Sequence, residues 1–100
     1  MSFMHISIVW RGPEKKLDQL RPIFDLAEDW VMYGNSNWII YTSENLLTWH
    51  GRIKAVVNES QDSFVICEVP NKESFIGWCP QYVVDWIEKP RTSYLLSPHS

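Results

Sequence analysis

WVMYGNSNWIIYT, running from Trp30 to Thr42, sets two short runs of aromatic and β-branched residues around Gly34-Asn35-Ser36-Asn37. Strand formers on both sides of residues that tolerate positive φ spell a β-hairpin, with strands near 29–34 and 37–43. On the second strand Trp38, Ile40 and Thr42 face one way, Ile39 and Tyr41 the other. Both faces carry apolar groups, which predicts a central strand rather than an edge.

Upstream, MHISIVW (residues 4–10) alternates as a first strand, with Ile6, Ile8 and Trp10 on one face and His5, Ser7 and Val9 on the other. Gly12-Pro13 ends it. Pro13 and Glu14 suit the first turn of a helix, where a missing N–H costs little and an acid meets the positive dipole end. Leu17, Leu20, Phe24 and Ala27 give that helix an apolar stripe. Pro22 lies inside the stripe and is expected to kink or divide the helix.

Downstream, Ser43 is the expected N-cap of a second helix, with Glu44 in its first turn. Leu46, Trp49, Ile53 and Val57, with Leu47 and Val56 beside them, form its expected buried stripe. Gly51 weakens such a helix, and close packing of its backbone on the sheet is the expected reason for a glycine there. A polar loop over 58–62 leads to SFVICEV (63–69), a fourth strand stopped by Pro70. After a turn at 71–74, Val83, Val84, Trp86 and Ile87 predict a short closing helix that stops before Pro90. The tail 91–100 has no usable periodicity and is expected to be mobile or to lie on the surface.

The order β-α-β-β-α-β predicts an α+β, ferredoxin-like fold: a four-stranded antiparallel sheet, two helices on one face and a short C-terminal helix. One domain over 1–90 carries the fold. The second sheet face needs cover, from the C-terminal helix and tail or from a second copy. Trp10, Trp30, Trp38 and Phe64 supply more aromatic surface than a solvated sheet face usually shows, which favours a homodimer.

At 100 residues, 45% hydrophobic with six Trp, four Tyr and four Phe, the chain can build a core without disulfides or a metal. A formal net charge of −3 gives no general attraction to nucleic acid or anionic membrane. No basic segment precedes a long apolar one at the N-terminus, and no apolar run reaches the length of a membrane helix. A cytoplasmic protein is expected, with no membrane partner. Cys67 reads as a small buried hydrophobe, unpaired with Cys79.

The usual carriers of chemistry are missing. His5, His50 and His99 lack metal-site spacing; His5 reads as a strand residue with a satisfied hydrogen bond. The four glycines form no phosphate loop. Asp25, Glu28 and Asp29 read as a solvated helix end, and Asp62 as a turn residue. Arg11, Lys15, Lys16, Arg21, Arg52 and Lys54 could form a basic strip, with Trp10 for stacking, in a nucleic-acid binder.

The stretch NWIIYTS ending at Ser43, the run DSFVICEV from Asp62 to Val69, and Gly77-Trp78 before a short helix resemble the small SinR-type proteins. These are a ferredoxin-like group related to the small CRISPR-associated endoribonucleases. The likeness covers about residues 4–90 and rests on Trp38, Asp62 and Gly77-Trp78 at the family's positions. The related endoribonucleases carry a Tyr-Asp-type pair where the first strand ends, and in a dimer the two aspartates hold a divalent metal beside the scissile phosphate. Here that place reads Val9-Trp10-Arg11-Gly12, without a carboxylate, and a hard cation needs oxygen ligands. The resemblance therefore implies the fold without the nuclease centre.

The expected function is a non-catalytic protein-binding module, dimeric, of the inhibitor, immunity or antitoxin kind found in prokaryotic or phage defence. No catalytic residue, metal or cofactor is expected. Its expected partners are a second copy and an unidentified protein, with Trp10, Arg11, Trp30, Trp38 and Trp78 as contact residues. The alternative is an endoribonuclease-like nucleic-acid binder or metal-dependent nuclease.

Overall fold

The computed structural model describes residues 1–11, 16–57 and 61–91. Its elements run β1 (Ser2–Val9), α1 (Leu17–Phe24), β2 (Asp29–Tyr33), β3 (Asn37–Thr42), α2 (Leu46–Lys54), β4 (Ser63–Val69), a 3-10 turn (Lys72–Ser74) and α3 (Gln81–Glu88). The readings made for Pro13, Glu14, Lys15, residues 58–60, His99 and the tail beyond Arg91 fall outside the described residues.

The hairpin is in register with Tyr33 opposite Asn37, so Gly34, Asn35 and Ser36 form the loop. Gly34 has φ +60°, a conformation that costs a side chain but not a glycine. The Ile8 N–H donates to the Ser36 carbonyl at 3.0 Å, tying the loop to β1. The sheet has the order β2-β3-β1-β4, antiparallel throughout. β3 is central, as its two apolar faces require. β1 and β2 run in one direction with β3 between them, and β3 and β4 run in the other with β1 between them.

Alternation divides the side chains between two cores. Met4, Ile6 and Ile8 of β1 and Trp38 and Ile40 of β3 meet Leu20, Phe24, Trp49, Ile53 and Val57 beneath α1 and α2. Full burial of each such side chain stabilises the fold by roughly 1.5–3 kcal/mol. Phe24 sits at the centre, its ring 5.1 Å from Trp38, 5.9 Å from Trp30 and 6.5 Å from Trp49. On the opposite face α3 lays Val83 and Ile87 over Phe3, Ile39 and Tyr41. Phe75 and Trp86 meet the Phe3 ring edge-on at 5.4 and 5.8 Å.

This division corrects the aromatic argument for a dimer. Trp10, Trp30, Trp38 and Phe64 all belong to the side covered by α1 and α2. Even-numbered positions of β1 and β3 point there, and the same parity carries Phe64 and Trp30 with them. The opposite face is covered over β2 and β3 by the C-terminal helix.

Other local expectations shift as well. Pro22 does not divide α1, which continues through it to Phe24. The N-cap of α2 is Asn45, whose side chain accepts from the Thr48 N–H at 2.8 Å, while the Ser43 hydroxyl donates to Glu28. Leu47 faces outward, 79% exposed, because it lies about 200° around the helix from the buried Trp49. Cys67 is exposed, because β4 is an edge strand whose odd positions lie beyond the reach of α3.

Gly51 also departs from expectation. It lies on the exposed side of α2, and a Cβ there would meet nothing within 4 Å. No close approach to the sheet requires it. Gly51→Ala is therefore expected to raise stability by about 0.5–1 kcal/mol through helix propensity and a less flexible unfolded chain. A urea midpoint that stayed fixed or fell would contradict this account of the position.

Candidate functional site

The largest outward-facing apolar side chains cluster beyond β4, in the connection to α3. Ile76 and Trp78 are fully exposed there. Between them Gly77 adopts φ +149°, a backbone region that disfavours side chains. Phe75 anchors the near end of this segment on Phe3, and α3 anchors the far end.

The segment walls a groove of about 410 Å³ over the sheet face that α1 and α2 leave free. Ile39, Phe75, Val83 and Val84 supply its apolar lining, and His5 and Tyr33 its polar floor. His5 Nε2 and the Tyr33 hydroxyl lie 2.5 Å apart. Burial lowers the His5 pKa, so the neutral ring is favoured. Burial also raises the Tyr33 hydroxyl, with the neighbouring Cys79 thiol adding to the effect. The floor is thus an uncharged hydrogen-bonded pair near neutral pH. Lys72 and Glu88 close one side of the groove with an ion pair at 3.2 Å. Apolar walls around one polar pair suit an inserted apolar side chain with a single polar tip.

The five contact residues expected from sequence lie in three places. Trp38 is buried against Phe24 in the core, out of reach of any partner. Trp30 is half-buried beside it and donates its indole N–H to Asp25 at 2.9 Å. Trp10 is likewise half-buried against the helix-side core. Arg11 is exposed at the exit of β1, with its backbone N–H donating to the buried Asp62 carboxylate at 3.0 Å. Trp78 alone of the four tryptophans faces solvent fully. Sequence reasoning missed Ile76, His5 and Tyr33 as its neighbours. The parity of β1 and β2 carried the signal, since odd residues of both strands share one face.

Several of the basic and acidic groups are occupied locally. Arg52 grips Glu44 through two bonds of 2.6 and 2.8 Å and lies 4.7 Å over the Trp49 ring. The hydrogen bond to Arg52 holds the Glu44 carboxyl below its usual range. Lys16 donates to the Val56 carbonyl at 3.3 Å. Asp25 and Glu28 accept from Trp30 and Ser43, and Asp29 accepts from Lys89 at 2.6 Å. Burial pushes the Asp29 carboxyl up, but the bond and charge of Lys89, with help from the Trp86 indole and the Trp30 N–H, hold it below normal. The expected basic strip is therefore interrupted by partners of its own.

Among the described residues, no three His, Cys, Asp or Glu side chains gather into a possible metal site, and no helix is long and apolar enough to cross a membrane. No family model, curated protein or solved structure matches the chain.

Proposed function

We propose that this chain is a non-catalytic, dimeric protein-binding module of SinR-type, ferredoxin-like architecture, acting in the cytoplasm. It works by occupying a partner's surface, as inhibitors, immunity proteins and antitoxins of prokaryotic or phage defence do. The strand order supports the ferredoxin-like part, since β3 between β1 and β2, and β1 between β3 and β4, is the interleaving that two split βαβ units produce. Two exposed free thiols suit a reducing compartment.

The observation that carries the binding reading is the fully exposed pair Ile76 and Trp78 on the rim of the His5–Tyr33 groove. Soluble proteins rarely present tryptophan this way without a contact to make, and tryptophan is the residue most often found at interface hot spots. The engagement of Arg52 and Lys16 by their own neighbours weighs against a nucleic-acid footprint.

The test is capture from source-cell lysate on immobilised protein, wild type against Ile76→Ser/Trp78→Ser, read by quantitative mass spectrometry. Neither side chain supports the core, so circular dichroism is expected to be unchanged. A hot-spot pair is expected to cost at least about tenfold in retention of the specific partner. If the doubly substituted protein retains the same proteins at the same level, the reading fails.

A further inference from the structure

We infer that β4 is the contact edge of the homodimer, two copies of the strand pairing antiparallel about Ile66 to join two four-stranded sheets into one of eight. The inference rests on the dimeric part of the function proposed above and assigns it a surface.

The two edges of the sheet are treated differently. At the β2 edge the Tyr82 hydroxyl donates to the Met32 carbonyl at 2.9 Å, and Lys89 clamps Asp29. A side chain there already occupies backbone that a new strand would need. β4 adjoins only β1. It pairs with β1 without a bulge from Val69 opposite Phe3 to Ser63 opposite Val9. It is seven residues long, contains neither proline nor glycine, and carries one charge, Glu68. Natural edges are usually shortened, bulged, covered or studded with lysine to prevent pairing. Among the described residues this edge shows none of those defences, and the N–H and C=O groups on its outer side fit another strand.

The side chains on the free face agree. Val65 is 63% exposed and Val9 53% exposed, and Cys67 lies beside them. Pairing of β4 with a second copy extends this apolar row across the two-fold axis.

Charge selects the register. About Ile66, Val65 stands opposite Cys67 of the second copy and Glu68 opposite Phe64. The Glu68 carboxylate then meets an aromatic ring, and the two Glu68 residues lie about four residues, roughly 14 Å, apart along the strand. Moving the axis to Val65 would set Glu68 against Asp62. Moving it to Cys67 would bring the two Glu68 side chains onto one diagonal about 7–8 Å apart. Both alternatives juxtapose like charges, and the Ile66 register does not.

The test uses the full chain in sedimentation equilibrium over micromolar to submillimolar concentration, with a Cys79→Ser background for cross-linking. The wild type is expected to dimerise, and Val65→Lys to weaken dimerisation at least about tenfold by charging the edge. Val65 is exposed, so the fold is expected to persist by circular dichroism. Oxidised Val65→Cys is expected to give a covalent dimer through Cys67, since directly opposed residues fall within disulfide range. Val65→Cys/Cys67→Ser leaves only diagonal positions and is expected not to cross-link. A wild type that stays monomeric overturns both this inference and the dimeric reading. A dimer indifferent to Val65→Lys overturns the edge alone, and weakened association without the cross-link overturns the Ile66 register.

Discussion

Trp49→Ala is expected to lower stability by about 3–5 kcal/mol, the range for truncating a large aromatic side chain in a core that cannot collapse around the gap. Trp49 is completely buried. Its ring is stacked 6.5 Å from Phe24, and on its outer side the Arg52 guanidinium lies 4.7 Å from the ring centre. The indole N–H donates to the Thr42 hydroxyl at 3.1 Å, and that same oxygen accepts from the Glu44 backbone N–H at 3.1 Å. One side chain therefore joins α2 to the end of β3 and supports the turn between them. Domains of this size have total stabilities of about 5–15 kcal/mol, so the variant is expected to populate unfolded chain visibly. Trp49→Phe keeps one six-membered ring but loses the fused pyrrole ring with its N–H, and is expected to cost less, about 2–3 kcal/mol. Equilibrium urea unfolding followed by far-UV circular dichroism measures both. A Trp49→Ala loss below about 1.5 kcal/mol would mean that the α2 interface repacks, against the close-packed core described above.

Much of this architecture is legible in the sequence because it depends on periodicity. The hairpin, the central place of β3, the limits of β4 and the closing helix before Pro90 all follow from alternation, turn residues and helix breakers. Misreadings arose where two local signals competed. Ser43 and Asn45 are both good N-caps; the choice fell to Asn45 because Thr42 and Ser43 are held by Glu44 and Glu28 instead. Leu47 lies beside the buried stripe in sequence, yet it sits a little over half a turn from Trp49 and so faces solvent. Gly51 invited a packing explanation that its open surroundings do not support. The candidate site was least legible. Tryptophan counts cannot separate Trp38, which fills the core, from Trp78, which faces solvent, because the difference lies in tertiary contacts. The groove needed the strand order as well, since His5 and Tyr33 are neighbours only with β3 between β1 and β2.

Arg91 carries the second large effect, and there packing outweighs charge. Arg91→Ala is expected to cost about 2–3 kcal/mol, whereas Arg91→Met is expected to stay within about 1 kcal/mol of wild type. The guanidinium carbon lies 4.3 Å from the Trp86 ring centre, 4.9 Å from Tyr41 and 5.1 Å from Phe3. One guanidinium nitrogen donates to the Lys89 and Ile87 carbonyls at 2.8 and 3.4 Å, closing the end of α3. Nε and the other terminal nitrogen are buried without a hydrogen-bond partner among the described residues. The nearest carboxylate, Asp29, is 3.8 Å away and already bonded to Lys89. Burial accordingly lowers the pKa of Arg91, with Asp29 and Tyr41 offsetting part of the effect. A cation over three rings gains up to about 2 kcal/mol per desolvated contact, while desolvating an ion costs several kcal/mol. These largely cancel, which leaves the covered aromatic surface as the net contribution. Methionine preserves the cover and its contacts with the rings; alanine opens the space between α3 and the sheet. Unfolding curves for the two variants, with amide exchange in α3, distinguish the cases. Equal damage from alanine and methionine would show that the charge, rather than the packing, holds α3 on the sheet.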